Sequence, residues 1–148
     1  MTYVLDTNIL LHTIRNEAFY RNLNEIYHFF ESPNISILSA VTVGEIRSIA
    51  IRNRWGERRM TDLLLLLKKF KTIPVTGDDA FTELYALIDT YSQNQHPTLR
   101  LIGSARKMGK NDLWIATTTA LFNATLLSTD NDFEHLNNVF IYFDKIEV

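Results

Sequence analysis

The stretch Tyr3-Val4-Leu5-Asp6-Thr7-Asn8-Ile9-Leu10 decides the fold. Three apolar residues form a short strand, and Asp6-Thr7-Asn8 combines a strand end with N-cap residue types for a helix over Ile9 to Ile14. A strand feeding directly into a helix opens an α/β chain. Further along, Glu17 to Phe30 carries Phe19, Leu23, Ile26, Tyr27 and Phe30 at helical spacings, and Ser32-Pro33-Asn34 stops it. Ile35-Ser36-Ile37-Leu38 reads as a buried strand. Ser39 then caps a helix from about Ala40 to Arg54, closed by Gly56, and a further helix runs from Glu57 to Lys71.

The second half repeats the alternation. Thr72-Ile73-Pro74-Val75 fits a strand only at a sheet edge, because proline cannot donate to the ladder. A helix over Asp78 to Ser92 is followed by a long polar connection, Gln93 to Lys110, with a turn of helix expected near Leu99 to Ile102. Asn111 caps a helix over Asp112 to Asn123. Ala124 to Leu127 is a strand, Asp132 to Leu136 a helical turn and Val139 to Phe143 a last strand. Strands alternating with helices predict one α/β domain over residues 1–148, with a parallel sheet, right-handed crossovers and an active crevice at the carboxyl ends of the strands.

The 148 residues include no cysteine, and the formal net charge is only -2. Disulfides, thiolate-bound zinc, iron–sulfur clusters and cysteine nucleophiles are excluded, and a reducing cytoplasm is the expected home. Apolar runs such as Leu63 to Leu67 fall far short of the roughly 20 residues that span a bilayer. Asp6 interrupts the first apolar stretch, so no secretory signal is expected. A sequence pI near 6.1 argues against a surface that binds polyanions throughout, so any nucleic-acid contact has to use a local patch.

Asp6 and Asp130 fall at predicted strand carboxyl ends, while Glu45 and Asp112 lie near helix starts. In a parallel sheet the first two converge on one crevice, and the other two can reach it from their helix starts. Carboxylates crowded there repel one another unless cations are present, and Mg²⁺ or Mn²⁺ prefers such an oxygen cage. Two ions would offset the charge and clamp the attacking and leaving oxygens of a phosphodiester. Each acid also has a structural reading: Asp6 and Asp112 as residues favoured at helix N-termini, Asp130 and Asp132 as turn and cap residues, and Glu45, beside the apolar stripe of Thr42, Ile46, Ile49 and Ala50, as the partner of Arg52.

Taken as a set, Val4-Leu5-Asp6-Thr7-Asn8-Ile9-Leu10, Ser39-Ala40-Val41-Thr42-Val43-Gly44-Glu45-Ile46, Asn111-Asp112-Leu113-Trp114-Ile115-Ala116 and Ser128-Thr129-Asp130-Asn131-Asp132-Phe133 resemble the PIN-domain nucleases, most closely the VapC-type toxins of bacterial toxin–antitoxin pairs. The resemblance implies a PIN-like three-layer fold, a central parallel sheet flanked by helices. It implies a metal-dependent endoribonuclease using Mg²⁺ or Mn²⁺, active as a homodimer and silenced by a VapB-like antitoxin. Asp6, Glu45, Asp112 and Asp130 would be the metal-coordinating acids, with Asp132 an alternate ligand or a support. Thr7, Asn8 and Thr129 fall where the family places groups that support the carboxylates. Trp114 departs from the small residue expected at its position.

Arg47, Arg52, Arg54, Arg58 and Arg59 against Glu57 give the segment from 47 to 59 a balance of +4, leaving -6 for the rest. With Trp55 inside it, this cluster suits contact with phosphates and a stacked base, or with an acidic antitoxin segment, and equally a solvated helix junction. Arg100, Arg106, Lys107 and Lys110 form a second basic set on the connection leading to Asp112. The five leucines at 63–67 circle their helix, which suits core packing or an interface. His12, His28, His96 and His135 show no zinc-binding spacing. A haloacid-dehalogenase-type phosphatase needs a second Asp two residues after the first, and Asn8 stands there. Two readings remain: a metal-dependent RNase, toxin or housekeeping, and a PIN-like module that binds RNA or protein without cutting.

Overall fold

The computed structural model describes all residues, 1–148. Five strands, β1 (Thr2–Leu5), β2 (Ile35–Ser39), β3 (Lys71–Ile73), β4 (Thr125–Ser128) and β5 (Tyr142–Lys145), form one sheet in the order β3-β2-β1-β4-β5. Every pairing is parallel. Six helices connect them: α1 (Thr7–Arg15), α2 (Glu17–Tyr27), α3 (Ala40–Arg52), α4 (Glu57–Leu67), α5 (Asp79–Ser92) and α6 (Lys110–Leu121). One turn of 3₁₀ helix, Glu134–Leu136, precedes β5.

Both faces of the sheet are covered, and side-chain alternation divides them. Tyr3, Leu5, Leu38 and Leu127 point into one core with Ile46 of α3 and Leu63 of α4. Val4, Ile37, Leu126 and Ile73 point into the other with Ile88 of α5 and Ile115 of α6. These layers make the expected PIN-like α/β fold. Of the five leucines, Leu63, Leu66 and Leu67 are buried, whereas Leu64 and Leu65 stay 39% and 57% exposed.

Several predicted boundaries move. The α2 helix stops at Tyr27, where His28 turns left-handed (φ 50°) and the Asn34 amide donates to the Tyr27 and His28 carbonyls. Phe29 then enters the core from outside the helix. The α3 helix ends at Arg52, with Arg54 left-handed (φ 51°), and Gly56 caps α4 instead of closing α3. The α4 helix stops at Leu67, because Lys71 already pairs with Ile37 as an edge strand.

No helix forms over Leu99 to Ile102: the amides of Thr98 and Leu99 donate to His96 Nδ1, and that of Leu101 to Asn94 Oδ1. Gly109, not Asn111, is the cap of α6, which places Asp112 third in that helix. The strand expected over Val139 to Phe143 shifts to Tyr142–Lys145, because Asn138 (φ 62°) closes a tight turn by donating to the Ile141 carbonyl.

Candidate active site

The β1 strand sits at the centre of the sheet, and its carboxyl end is the point from which the chain leaves toward β2 on one side while β4 lies on the other. Crevices form at such points in parallel sheets. Asp6 is the first residue beyond β1 and the N-cap of α1. The pairing of Leu5 with Leu127 sets Asp6 beside Ser128 at the end of β4. Asp6 is only 6% exposed. Its Oδ1 accepts from the Thr7 amide at 2.7 Å and its Oδ2 from the Ser128 hydroxyl at 2.7 Å.

Asn8 orders the adjoining turn. Its amide donates to Asp130 Oδ2 at 2.9 Å and Ser128 Oγ at 3.2 Å, and its Oδ1 accepts from the Thr129 main chain at 3.2 Å. The Asp130 amide donates to Ser128 Oγ at 3.1 Å. The hydroxyl in this network is therefore that of Ser128; Thr129 takes part through its backbone. Ser128 was not singled out from the sequence, and the available signal was its place opposite Asp6 if β1 and β4 pair in parallel.

Glu45 lies one turn into α3. It forms no ion pair with Arg52; instead the Thr7 hydroxyl donates to its Oε1 at 3.0 Å. A shallow cavity of about 410 Å³ beside Glu45 is lined by Ser48, Arg52 and Asn111. On the other flank, a second cavity of about 410 Å³ is lined by Arg106, Lys107, Asp112 and Asp132. Of the basic residues expected at the site, Arg52 and Lys107 reach these cavities, whereas Arg47, Arg54 and Lys110 are exposed and line neither. Trp55 packs against the core, and the guanidinium of Arg59 lies 5.4 Å from its ring centroid, so the tryptophan is not an open stacking platform. Trp114 packs its ring against those of Phe81 and Tyr85.

The acids feel one another. Burial pushes the Asp6 carboxyl up to about 6, against the lowering effect of the Ser128 and Thr7 hydrogen bonds, and Glu45 and Asp130 push it further. Asp112 is also raised to about 6, first by burial and then by the charges of Asp6, Asp132, Glu45 and Asp130. The five predicted acids thus share one electrostatic neighbourhood. None of them pairs with Lys or Arg. As the side chains stand, no three close around a common point, since Asp6, Glu45 and Asp130 are each turned toward a hydrogen-bond donor. Unneutralised carboxylate oxygens, two of them held above their ordinary range, fit a hard divalent cation such as Mg²⁺ or Mn²⁺.

His135, just beyond this turn, is kept neutral: burial and then the Arg106 charge lower its pKa to about 4. Its Nε2 lies 2.7 Å from Ser92 Oγ.

Fold and site together define an α/β domain with a carboxylate-lined crevice at the carboxyl edge of a parallel sheet. A PIN domain profile matches residues 3–139, and the chain belongs to the PIN domain family. Among solved structures, it is similar to a chain of VapBC2 from Rickettsia felis bound to a promoter DNA fragment, at 21% identity and a TM-score of 0.74, covering 99% of this chain and 100% of that one. It is likewise similar to VapBC-1 from nontypeable Haemophilus influenzae, at 20% identity and a TM-score of 0.72 over 98% of both chains. VapBC-5 from Mycobacterium tuberculosis, a member of the VapBC family of toxin-antitoxin systems, matches at 20% identity and a TM-score of 0.61 over 98% of both chains. No curated protein matches the sequence. No helix is long and apolar enough to cross a membrane.

Proposed function

We propose that this chain is a divalent-metal-dependent endoribonuclease, the toxin of a cytoplasmic toxin–antitoxin pair. The observation that carries the reading is the set of five carboxylates, Asp6, Glu45, Asp112, Asp130 and Asp132, gathered at one crevice with none of them in an ion pair with a basic side chain. A charge concentration of this kind costs folding stability unless a cation offsets it.

In this reading Asp6, Glu45, Asp112 and Asp130 hold the metal, with Asp132 at the outer edge. A bound Mg²⁺ or Mn²⁺ supplies the positive charge that stabilises the phosphodiester oxygens during displacement and lowers the pKa of an attacking water. The protein's own part is orientation. The Thr7 amide and Ser128 hydroxyl fix both oxygens of Asp6, the Thr7 hydroxyl aims Glu45, and Asn8 holds Asp130. Asp112 stands in the first turn of α6, where the positive end of the helix favours its ionised form. Arg52 on one flank, and Arg106 and Lys107 on the other, are placed to take phosphates on either side of the scissile bond.

Likeness to chains from VapBC toxin–antitoxin systems supports a protein antitoxin as partner, and the proposed working unit is a homodimer. The test is cleavage of structured RNA by the purified chain with Mg²⁺ or Mn²⁺. Cleavage that requires the ion and is lost in Asp6→Asn is expected; cleavage that persists in excess EDTA or in that variant sinks the mechanism. Growth arrest on expression, relieved by the product of a neighbouring small gene, tests the toxin assignment, and growth without arrest would favour a housekeeping or binding role.

A further inference from the structure

Ser92, the last residue of α5, has no exposed surface and lies outside the acid network, yet two separate segments meet on it through three contacts. Its carbonyl accepts from the Arg106 amide at 2.8 Å. Its hydroxyl lies 3.1 Å from the sulfur of buried Met108 and 2.7 Å from His135 Nε2. One hydroxyl proton cannot serve both partners. A thioether is a weak acceptor and an imidazole nitrogen a good one, so the hydroxyl donates to Nε2 and its sulfur contact is packing. The ring proton then sits on Nδ1, which is buried, has no hydrogen-bond partner of good geometry, and lies beside the Asp132 main chain.

Each tethered segment leads into the site. Met108 is followed by Gly109 and the first turn of α6, which holds Asp112. His135 is three residues past Asp132. Arg106, itself tethered, and Lys107, between it and Met108, line the same cavity as Asp112 and Asp132. The connection 93–109 has no regular structure, so its position depends on such tethers. We propose that Ser92 and His135 are positioning residues: their hydrogen bond ties the turn 130–136 to the end of α5 at the same residue that receives the Arg106 amide and the Met108 sulfur from the basic segment 104–109, and this junction sets the gap between Asp112 and Asp132. The proposal deepens the nuclease reading and rests on it for its catalytic consequence.

The test compares Ser92→Ala, His135→Ala, His135→Gln and the double Ala variant with the unaltered chain, by amide hydrogen exchange and by steady-state RNA cleavage in Mg²⁺. Both single Ala variants are expected to raise exchange in 104–109 and 130–136 together while the β1 and β4 amides stay protected. They should lower kcat about 10- to 100-fold, the range for residues that orient metal-binding groups, with KM changed less. His135→Gln, whose amide can reach the Ser92 hydroxyl, should recover part of kcat, and the double variant should be no worse than either single. Exchange that rises in only one segment, or kcat equal to that of the unaltered chain, overturns the proposal. If the unaltered chain cleaves no RNA, the nuclease reading falls while the exchange pattern still decides whether the junction exists.

Discussion

Ser128 Oγ stands 2.7 Å from Asp6 Oδ2, so a side-chain hydrogen bond joins the carboxyl ends of two adjacent parallel strands at the most buried acid of the site. The same oxygen receives the Asn8 amide and the Asp130 main-chain N–H. One hydroxyl therefore organises the buried and the exposed acids on that side of the crevice together.

Ser128→Ala is expected to leave the Asp6 carboxylate with one fewer donor in a buried position. Its pKa should rise further, and the Mg²⁺ concentration for half-maximal cleavage should increase about 10- to 100-fold. Stability should fall by about 1–3 kcal/mol, as for a buried polar group left short of a partner. Metal titration of cleavage and urea unfolding read the two effects separately.

Thr7→Val keeps the size of the side chain and removes the hydroxyl that aims Glu45. The N-cap of α1 is untouched, because the Asp6 carboxylate accepts from the Thr7 backbone amide, which valine retains. The expected result is a protein that unfolds within about 1 kcal/mol of the parent and yet cleaves about tenfold more slowly at limiting Mg²⁺. Equal rates at all metal concentrations would remove Glu45 from the metal-binding set.

The raised carboxyls of Asp6 and Asp112 set a pH dependence of stability. Both move from an ordinary 3.8 to about 6, so the folded chain holds these protons more tightly than the unfolded chain. Between about pH 4 and 6 the metal-free protein loses stability from these groups as pH rises, and above about 6 the whole cost is present. Asp112→Asn removes one such group. After allowance for the partial exposure of Asp112, the variant should be about 1 kcal/mol more stable than the parent at pH 7.5 without metal, and the gap should close by pH 4. Mg²⁺ should raise the melting temperature of the parent at pH 7.5 and do so progressively less below pH 6.

Arg52→Ala and the pair Arg106→Ala/Lys107→Ala should weaken RNA binding without disturbing the fold, since all three side chains are exposed and unpaired. Each variant should raise KM, leave kcat within a few-fold of the parent and flatten the salt dependence of KM by about one phosphate contact per charge removed. Arg47→Ala and Arg54→Ala, whose side chains line neither cavity, serve as controls with near-parent KM.

The local chemistry of the site was legible in the chain. Asp6 reads as a strand end and a helix cap because both roles follow from neighbouring residues, and in the structure it is both. The alternation of Tyr3, Val4 and Leu5 between two cores follows from a strand that is apolar on both faces. Element ends were less legible. Asn34 closes α2 by reaching back to Tyr27 and His28, and Gly109 displaces Asn111 as the cap of α6; each is a choice between two locally acceptable residues that the surrounding packing settles.

What the sequence by itself determined is therefore the class of fold, its strand and helix order, and which acids are candidates for the site, because periodicity, capping and charge are properties of neighbouring residues. Which group supports which acid was decided only by the tertiary structure. Glu45 is partnered by Thr7 rather than Arg52, and Asp6 by Ser128 in addition to its own helix. These contacts span 38 and 122 residues of chain. Hydrogen bonds of that separation depend on the register in which β1 meets β4 and on how α3 lies against α1, and no local pattern encodes either.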